Sequence, residues 1–269
     1  MYKKGFRVIM KVVILAGGMG TRISEESHLK PKPMIEIGDR PILWHIMKIY
    51  SSYGFNDFLI CLGYKGYMIK EFFADYYLHL SDITIDFTKN GDVSIHNNVA
   101  EPWRVTLVDT GLNTQTGGRI KKIRKHIGNE AFMLTYGDGV SDIDVGKLLM
   151  YHNEKKQIAT ISAVQPGGRY GVMEIDTDSS VTSFREKAVE DGGWINAGFM
   201  VLEPCVFDYI SDDDMEAFEK RPLENLASDK QLNAYRYEGF WKCMDTQRDK
   251  YALEDLWQSG NAPWKVWND

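Results

Sequence analysis

A chain of 269 residues with 43% hydrophobic and 26% charged residues carries enough apolar material for one large core, and a single α/β domain is the default at that length. The net charge of −6 argues against general nucleic-acid binding, so an anionic substrate meets a local basic pocket on an acidic body. The cysteines Cys61, Cys205 and Cys243 match no zinc spacing and no disulfide framework, which points to a reducing, cytoplasmic compartment, and no apolar run reaches the roughly 18 to 20 residues a membrane span needs.

Residues 1–9 are basic but lack the apolar core and cleavage site of a secretory signal; they read as an N-terminal extension ahead of one domain over 10–269. Residues 12–16, VVILA, are apolar at every position and read as a buried strand. The strand turns through Gly17-Gly18-Met19-Gly20 into Thr21 and Arg22, and a stretch without apolar period leads to Lys30-Pro31-Lys32-Pro33. Apolar spacing predicts a helix over 41–53, with proline at its first turn and Gly54 after it. Residues 58–62 form a second apolar strand, and 65–80 an amphipathic helix dense in aromatics. Strands alternating with helices imply right-handed crossovers and a parallel sheet.

Residues 83–87 and 93–95 flank Asn90-Gly91, a hairpin turn signal. A strand over 105–108 precedes a polar, glycine-rich stretch over 109–118 and a basic helix over 119–126. A strand over 132–136 stops at Gly137-Asp138-Gly139. A helix over 142–156 and a strand over 158–164 follow, then antiparallel segments over 170–175 and 181–185. A strand over 194–202 ends at Glu203-Pro204, and helices are expected over 205–210, 215–228 and 247–258. The fold class is α/β: a Rossmann-like mixed, mostly parallel sheet flanked by helices, with a small β-rich insertion and a C-terminal extension.

A strand that runs into glycines and then into cations suits an anion site, because glycines let backbone N–H groups approach phosphate oxygens. Gly17 and Asp138 both fall just beyond a strand's carboxyl end, where ligands sit in open α/β sheets. The glycine turn alone also suits plain close packing. Its spacing is not GxGxxG and no acid closes the next strand, so a dehydrogenase reading fails. Lys32 stands between two prolines and is a positioned charge. Asp138, at a strand end between two glycines, suits a turn former or a helix cap as well as a functional carboxylate, and Asp245 is a second acid far away in sequence.

The run LAGGMGTR over 15–22 and PKPM over 31–34, with Gly137-Asp138-Gly139, Glu186-Lys187, Asn196-Ala197-Gly198 and Met244-Asp245-Thr246, resembles the signature of the sugar-phosphate nucleotidyltransferases. The resemblance runs from Met10 onward, and VTLVDTG over 105–111, TGGR over 116–119 and the segments 42–47, 63–67 and 262–265 are similar to the cytidylyltransferase branch. It implies a Mg²⁺-dependent transfer from CTP to α-D-glucose 1-phosphate, giving CDP-glucose and pyrophosphate. By the same resemblance Leu15, Ala16, Gly17, Gly18 and Met19 hold the nucleotide, and Gly20, Thr21 and Arg22 its phosphates. Lys32 serves the α-phosphate. Gly137 touches the nucleotide, and the segment with Thr114, Thr116 and Arg119 faces the cytosine. Glu186, Lys187, Asn196 and Gly198 bind the sugar phosphate, and Asp138 and Asp245 bind Mg²⁺. Position 188 is alanine where the family usually has proline, which loosens that loop. The resemblance also implies a homo-oligomer, a hexamer, and a place at the start of routes to dideoxy sugars of bacterial surface polysaccharide. A sibling enzyme using UTP, dTTP or GTP, and a non-catalytic sensor on the same fold, remain as alternatives.

Overall fold

The computed structural model describes residues 10–165, 171–175, 181–186 and 193–268, with the course of the chain alone at 24–25, 171–175 and 181–186. Among these residues the central sheet has seven strands: β1 (Lys11–Ala16), β2 (Asp57–Leu62), β3 (Arg104–Asp109), β4 (Phe132–Tyr136), β5 (Ala159–Val164), β6 (Ile195–Leu202) and β7 (Leu232–Arg236). Their spatial order is β7-β5-β6-β4-β1-β2-β3. Pairings are parallel except at β6, which runs antiparallel to both β4 and β5. The adjacent parallel strands β4, β1, β2 and β3 therefore present their carboxyl ends side by side.

A strand with no polar face must be covered on both sides. Val12, Ile14 and Ala16 of β1 enter one core and Val13 and Leu15 the other, following the two-residue period of a strand. Helix α1 (Ile42–Ser52) covers the first face with Ile42, Leu43, Ile46, Met47 and Ile49. Ile120, Ile123, Phe207 and Phe218 cover the second.

The expected helix over 65–80 divides at Asp75 into α2 (Gly66–Ala74) and the single turn Tyr76–His79. Beyond the break Tyr76 is buried, its hydroxyl accepting from Trp44 Nε1 at 2.8 Å and donating to Glu101 at 2.5 Å. The predicted hairpin is present as Asp82–Asp86 paired with Asp92–His96. The basic helix starts earlier than expected, as α3 (Thr116–Lys122), and a further turn covers Arg124–Ile127.

Helix α4 (Val145–Lys155) is capped by Asp144, whose side chain accepts from the Lys147 N–H. Of the helix expected over 215–228, only α5 (Arg221–Ser228) forms. Upstream, short polar side chains take the backbone instead: Ser211 Oγ accepts from the Asp213 N–H and Asp213 Oδ1 from the Met215 N–H. Cys205 lies in a 3₁₀ segment, Pro204–Asp208, rather than an α-helix.

Helix α6 (Gln247–Gln258) matches the expected bounds and opens on a capping box between Thr246 and Asp249. Beyond it, Trp264 and Trp267 return to the core beside His45, so these tryptophans are packing residues. No described helix is long and apolar enough to cross a membrane.

Candidate active site

A cleft of about 620 Å³ opens at the carboxyl ends of β1 and β4. Residues 15–22, Lys32 and Pro33 line it together with residues 112–116, Arg119, Tyr136, Gly137, Asp138 and Met215. The Gly137 N–H donates to the Leu15 carbonyl at 3.0 Å, which joins the two loops that leave the parallel strands. Gly17 is glycine because of its neighbour: a Cβ there would lie 2.2 Å from an Arg119 guanidinium nitrogen.

Arg119 is buried, and its guanidinium is bound to backbone on every side. Nη1 donates to the Leu62 and Gly111 carbonyls at 2.9 and 2.8 Å and to Thr110 Oγ1 at 2.6 Å; Nη2 donates to the Gly17 carbonyl at 3.0 Å. Burial lowers its pKa, and Asp109 and Asp214 partly restore the charge. Arg119 thus ties the ends of β1, β2 and β3 together. The Thr114 hydroxyl accepts from Lys122 at 3.1 Å, and the Thr116 hydroxyl donates to Glu219 at 2.6 Å. Thr114, Thr116 and Arg119 all line the cleft, yet their polar groups are engaged by protein.

The loop after Gly20 carries short helical turns, Thr21–Ile23 and Ser24–Ser27, where the sequence shows no apolar period. Lys65 Nζ donates to the His28 and Leu29 carbonyls, and Lys250 pairs with Glu26, so the loop is tied to α6 and to the residue before α2. It ends in the turn Lys32–Met34, where Pro31 holds an extended φ of −65°.

Asp138 and Asp245 meet through a short ladder. Gly139–Ser141 pairs antiparallel with Trp241–Cys243, and the Met244 N–H donates to the Asp138 carbonyl at 2.8 Å. Lys32 Nζ lies 2.6 Å from Asp138 Oδ2 and 2.7 Å from Asp245 Oδ1, and Arg22 reaches Asp245 Oδ2 at 2.9 Å. Burial pushes the Lys32 pKa down, but the two carboxylates outweigh it and the net shift is upward. Burial pushes Asp245 up, and Lys32 and Arg22 carry it below the ordinary carboxylate value. Two carboxylates converging on one ammonium form a place for a cation, and their hard oxygens suit Mg²⁺. No group of three or more His, Cys, Asp or Glu able to hold a metal occurs among the described residues. Asp138 and Asp245 would therefore share the ion with phosphate oxygens and water, the usual habit of Mg²⁺.

Leu15, Ala16, Gly17, Gly18, Met19, Gly20, Thr21, Arg22, Lys32 and Gly137 all line this cleft. Glu186 ends the strand Val181–Glu186, and Lys187 lies outside the described residues. Asn196 and Gly198, at the start of β6, approach the cleft through Tyr136: Asn196 Nδ2 lies 3.4 Å from the Tyr136 hydroxyl. Tyr136, Met215 and Glu219 escape the sequence reading. Tyr136 carries a signal, being the strand residue just before Gly137, whereas Glu219 sits in an acidic stretch with no motif.

The family model described as nucleotidyl transferase matches residues 11–267. The chain is 52% identical over 259 residues to glucose-1-phosphate cytidylyltransferase of Salmonella typhi, covering 96% of this chain and 100% of that one. The crystal structure of HddC from Yersinia pseudotuberculosis superposes with a TM-score of 0.66 at 26% identity, covering 92% of this chain and 99% of that one. UDP-glucose pyrophosphorylase complexed with UDP-glucose gives a TM-score of 0.68 at 16% identity over 94% of this chain and 100% of that one, a likeness of fold.

Proposed function

The chain belongs to the nucleotidyl transferase family, and from that premise we propose that it transfers the cytidylyl group of CTP to α-D-glucose 1-phosphate, giving CDP-glucose and pyrophosphate. The observation that carries the chemistry is Lys32, held between Asp138 and Asp245 beside the glycine loop. The observation that carries the choice of substrates is the 52% identity over the whole length of the Salmonella typhi enzyme.

A phosphate oxygen of the sugar phosphate attacks the α-phosphorus in line, and the bond to pyrophosphate breaks as the new P–O bond forms. The nucleophile is already an anion, so no general base is needed. Catalysis is positioning and charge neutralisation. Residues 15–20 hold the nucleotide through backbone, and Gly137 closes the floor. Arg22, well exposed at 76% of its side-chain surface, forks the departing pyrophosphate. Lys32, released from the carboxylates, serves the α-phosphate. Asp138 and Asp245 would hold Mg²⁺, which would supply neutralising charge at the phosphate oxygens. Lys187 neutralises the sugar phosphate, Glu186 accepts from sugar hydroxyls, and Asn196 and Gly198 line the sugar pocket.

Two further elements belong to the same reading. The enzyme works in the cytoplasm, at the head of a route to dideoxy sugars of bacterial surface polysaccharide. It assembles as a homo-oligomer, a hexamer by resemblance, which is supported by an exposed apolar face on the hairpin Asp82–Asp86/Asp92–His96.

The test is pyrophosphate release from the purified protein with Mg²⁺ and glucose 1-phosphate, run in parallel with CTP, UTP, dTTP, ATP and GTP. Strong preference for CTP is the expected result. Preference for another nucleotide keeps the class and overturns the base assignment. No release with these or with other sugar phosphates leaves a sensor on this fold.

A further inference from the structure

One exposed carboxylate joins two residues that line the cleft. Glu219 Oε2 accepts from the Thr116 hydroxyl at 2.6 Å, and Glu219 Oε1 accepts from the Tyr136 hydroxyl at 2.5 Å. Thr116 opens α3 on the nucleotide side, and its oxygen also accepts from the Phe218 N–H at 2.9 Å. Tyr136 ends β4, immediately before Gly137 and Asp138.

The protons along this chain are determined by its ends. The Gly198 N–H is a donor, and it lies 2.8 Å from Asn196 Oδ1. The amide oxygen of Asn196 therefore faces Gly198, and its Nδ2 faces the Tyr136 hydroxyl at 3.4 Å. That contact requires the Tyr136 oxygen to accept. It does so because its own proton is given to Glu219. The ring is seated as tightly as the hydroxyl: a Cβ on Gly198, whose φ is +87°, would lie 2.5 Å from it.

We propose that Glu219 and Tyr136 are positioning residues for the sugar phosphate: the Glu219 carboxylate orients the Tyr136 hydroxyl, which orients the Asn196 amide and leaves its second N–H for a sugar hydroxyl. The inference rests on the proposed function, which puts the sugar at Asn196 and Gly198. Neither Glu219 nor Tyr136 touches a reacting atom in this scheme. Because Glu219 also holds Thr116, its loss reaches the proposed nucleotide contacts as well, whereas Tyr136 acts on the sugar side alone.

The test is initial-rate kinetics of the full chain with CTP and glucose 1-phosphate, for wild type, Tyr136→Phe, Glu219→Ala, Glu219→Gln and the Tyr136→Phe/Glu219→Ala double variant. Tyr136→Phe removes only one oxygen, so folding is preserved, and melting curves check this. Expected is a rise of about 10-fold in KM for glucose 1-phosphate with KM for CTP within about 2-fold, the cost of one lost orienting hydrogen bond. Glu219→Ala raises both KM values, and Glu219→Gln, which keeps one of the two acceptor oxygens, recovers only part of the loss. The double variant is no worse toward the sugar phosphate than Tyr136→Phe alone, because one chain is broken twice. An unchanged sugar-phosphate KM in Tyr136→Phe, or an equal rise in both KM values, overturns the inference while wild-type turnover leaves the proposed function standing. A wild type that releases no pyrophosphate removes that function and the inference with it.

Discussion

Lys32 Nζ lies 2.6 Å from Asp138 Oδ2, although 106 positions separate the two residues. The contact is made by a turn pinned between prolines on one side and a three-residue ladder on the other. With Asp245 and Arg22 it forms a cluster of two anions and two cations, balanced without a metal. Replacing Lys32 with methionine removes one cation from that balance. Turnover should fall by roughly 10²- to 10³-fold, the range for a lost electrostatic donor to a reacting phosphate. The melting temperature of Lys32→Met should also become more sensitive to added Mg²⁺ than that of wild type, since the two carboxylates then have no ammonium between them. Asp138→Asn should abolish that sensitivity. Calorimetric melts with and without Mg²⁺, read beside pyrophosphate release, decide the matter; a Lys32→Met protein with wild-type activity would sink both assignments.

Arg119 offers a second prediction. Its guanidinium satisfies carbonyls from the ends of β1 and β2 and from the segment after β3, and its head fills the space a Gly17 side chain would need. Arg119→Met leaves those buried carbonyls unpaired, at about 1–3 kcal/mol each before relaxation. The expected result is a markedly lower melting temperature together with a rise of about 10-fold or more in KM for the nucleotide, because the glycine loop loses its anchor. Arg119→Lys recovers the charge but not the fork, so it should restore little. A variant with normal stability and a lost base preference would instead make Arg119 a reader of the base.

These two residues also mark what can be read from the chain alone. The buried strand, the glycines and Lys32 were visible because each leaves a local pattern: an unbroken apolar run, a turn, a charge between prolines. The strands β1, β2, β4 and β6 and helix α6 follow from periodicity. The ladder Gly139–Ser141/Trp241–Cys243 has no such pattern, because three residues cannot display a period, yet it is what brings Asp138 to Asp245. Strand β7 was hidden for a related reason: its sequence, LNAYR, is polar enough for a sheet edge. The residue types at Arg119 and Thr116 suggested hydrogen bonding, but not that the partners would be Gly17 and Glu219, 102 and 103 positions away.

His45 predicts an acid-labile fold. It is fully buried, edge-on to Trp257 at 4.6 Å, and its Nε2 lies 2.9 Å from the Ile37 carbonyl. The Trp264 N–H points at Nδ1 at 3.4 Å, so Nδ1 accepts in the neutral ring. Burial lowers the pKa from the ordinary 6.5 to about 4, partly opposed by the backbone carbonyl. The unfolded chain therefore binds the proton first as pH falls, and stability declines between about 6.5 and 4, by up to about 3 kcal/mol from this group. His45→Gln keeps a donor for Ile37 and does not titrate. Melts at pH 7, 5.5 and 4.5 should show a shallower acid decline in His45→Gln than in wild type; parallel declines would assign the loss to carboxylates instead.

Assembly gives the last prediction. In the hairpin, Ile83 pairs with Ile95 and Ile85 with Val93, so the four side chains share one face. They are 39–48% exposed, and Phe87 beside them is 84% exposed. A two-stranded ribbon with an uncovered apolar face is marginal by itself and invites a partner surface. If a second copy of the chain supplies that surface, Ile85→Asp combined with Val93→Asp places two charges in the contact. None of the four residues belongs to either core, so the domain should stay folded and its melting curve should remain cooperative. Sedimentation velocity should then show wild type as a multimer and the double variant as a smaller species. A double variant that sediments with the wild-type mass would remove the hairpin from the contact and direct attention to the edge strand β3.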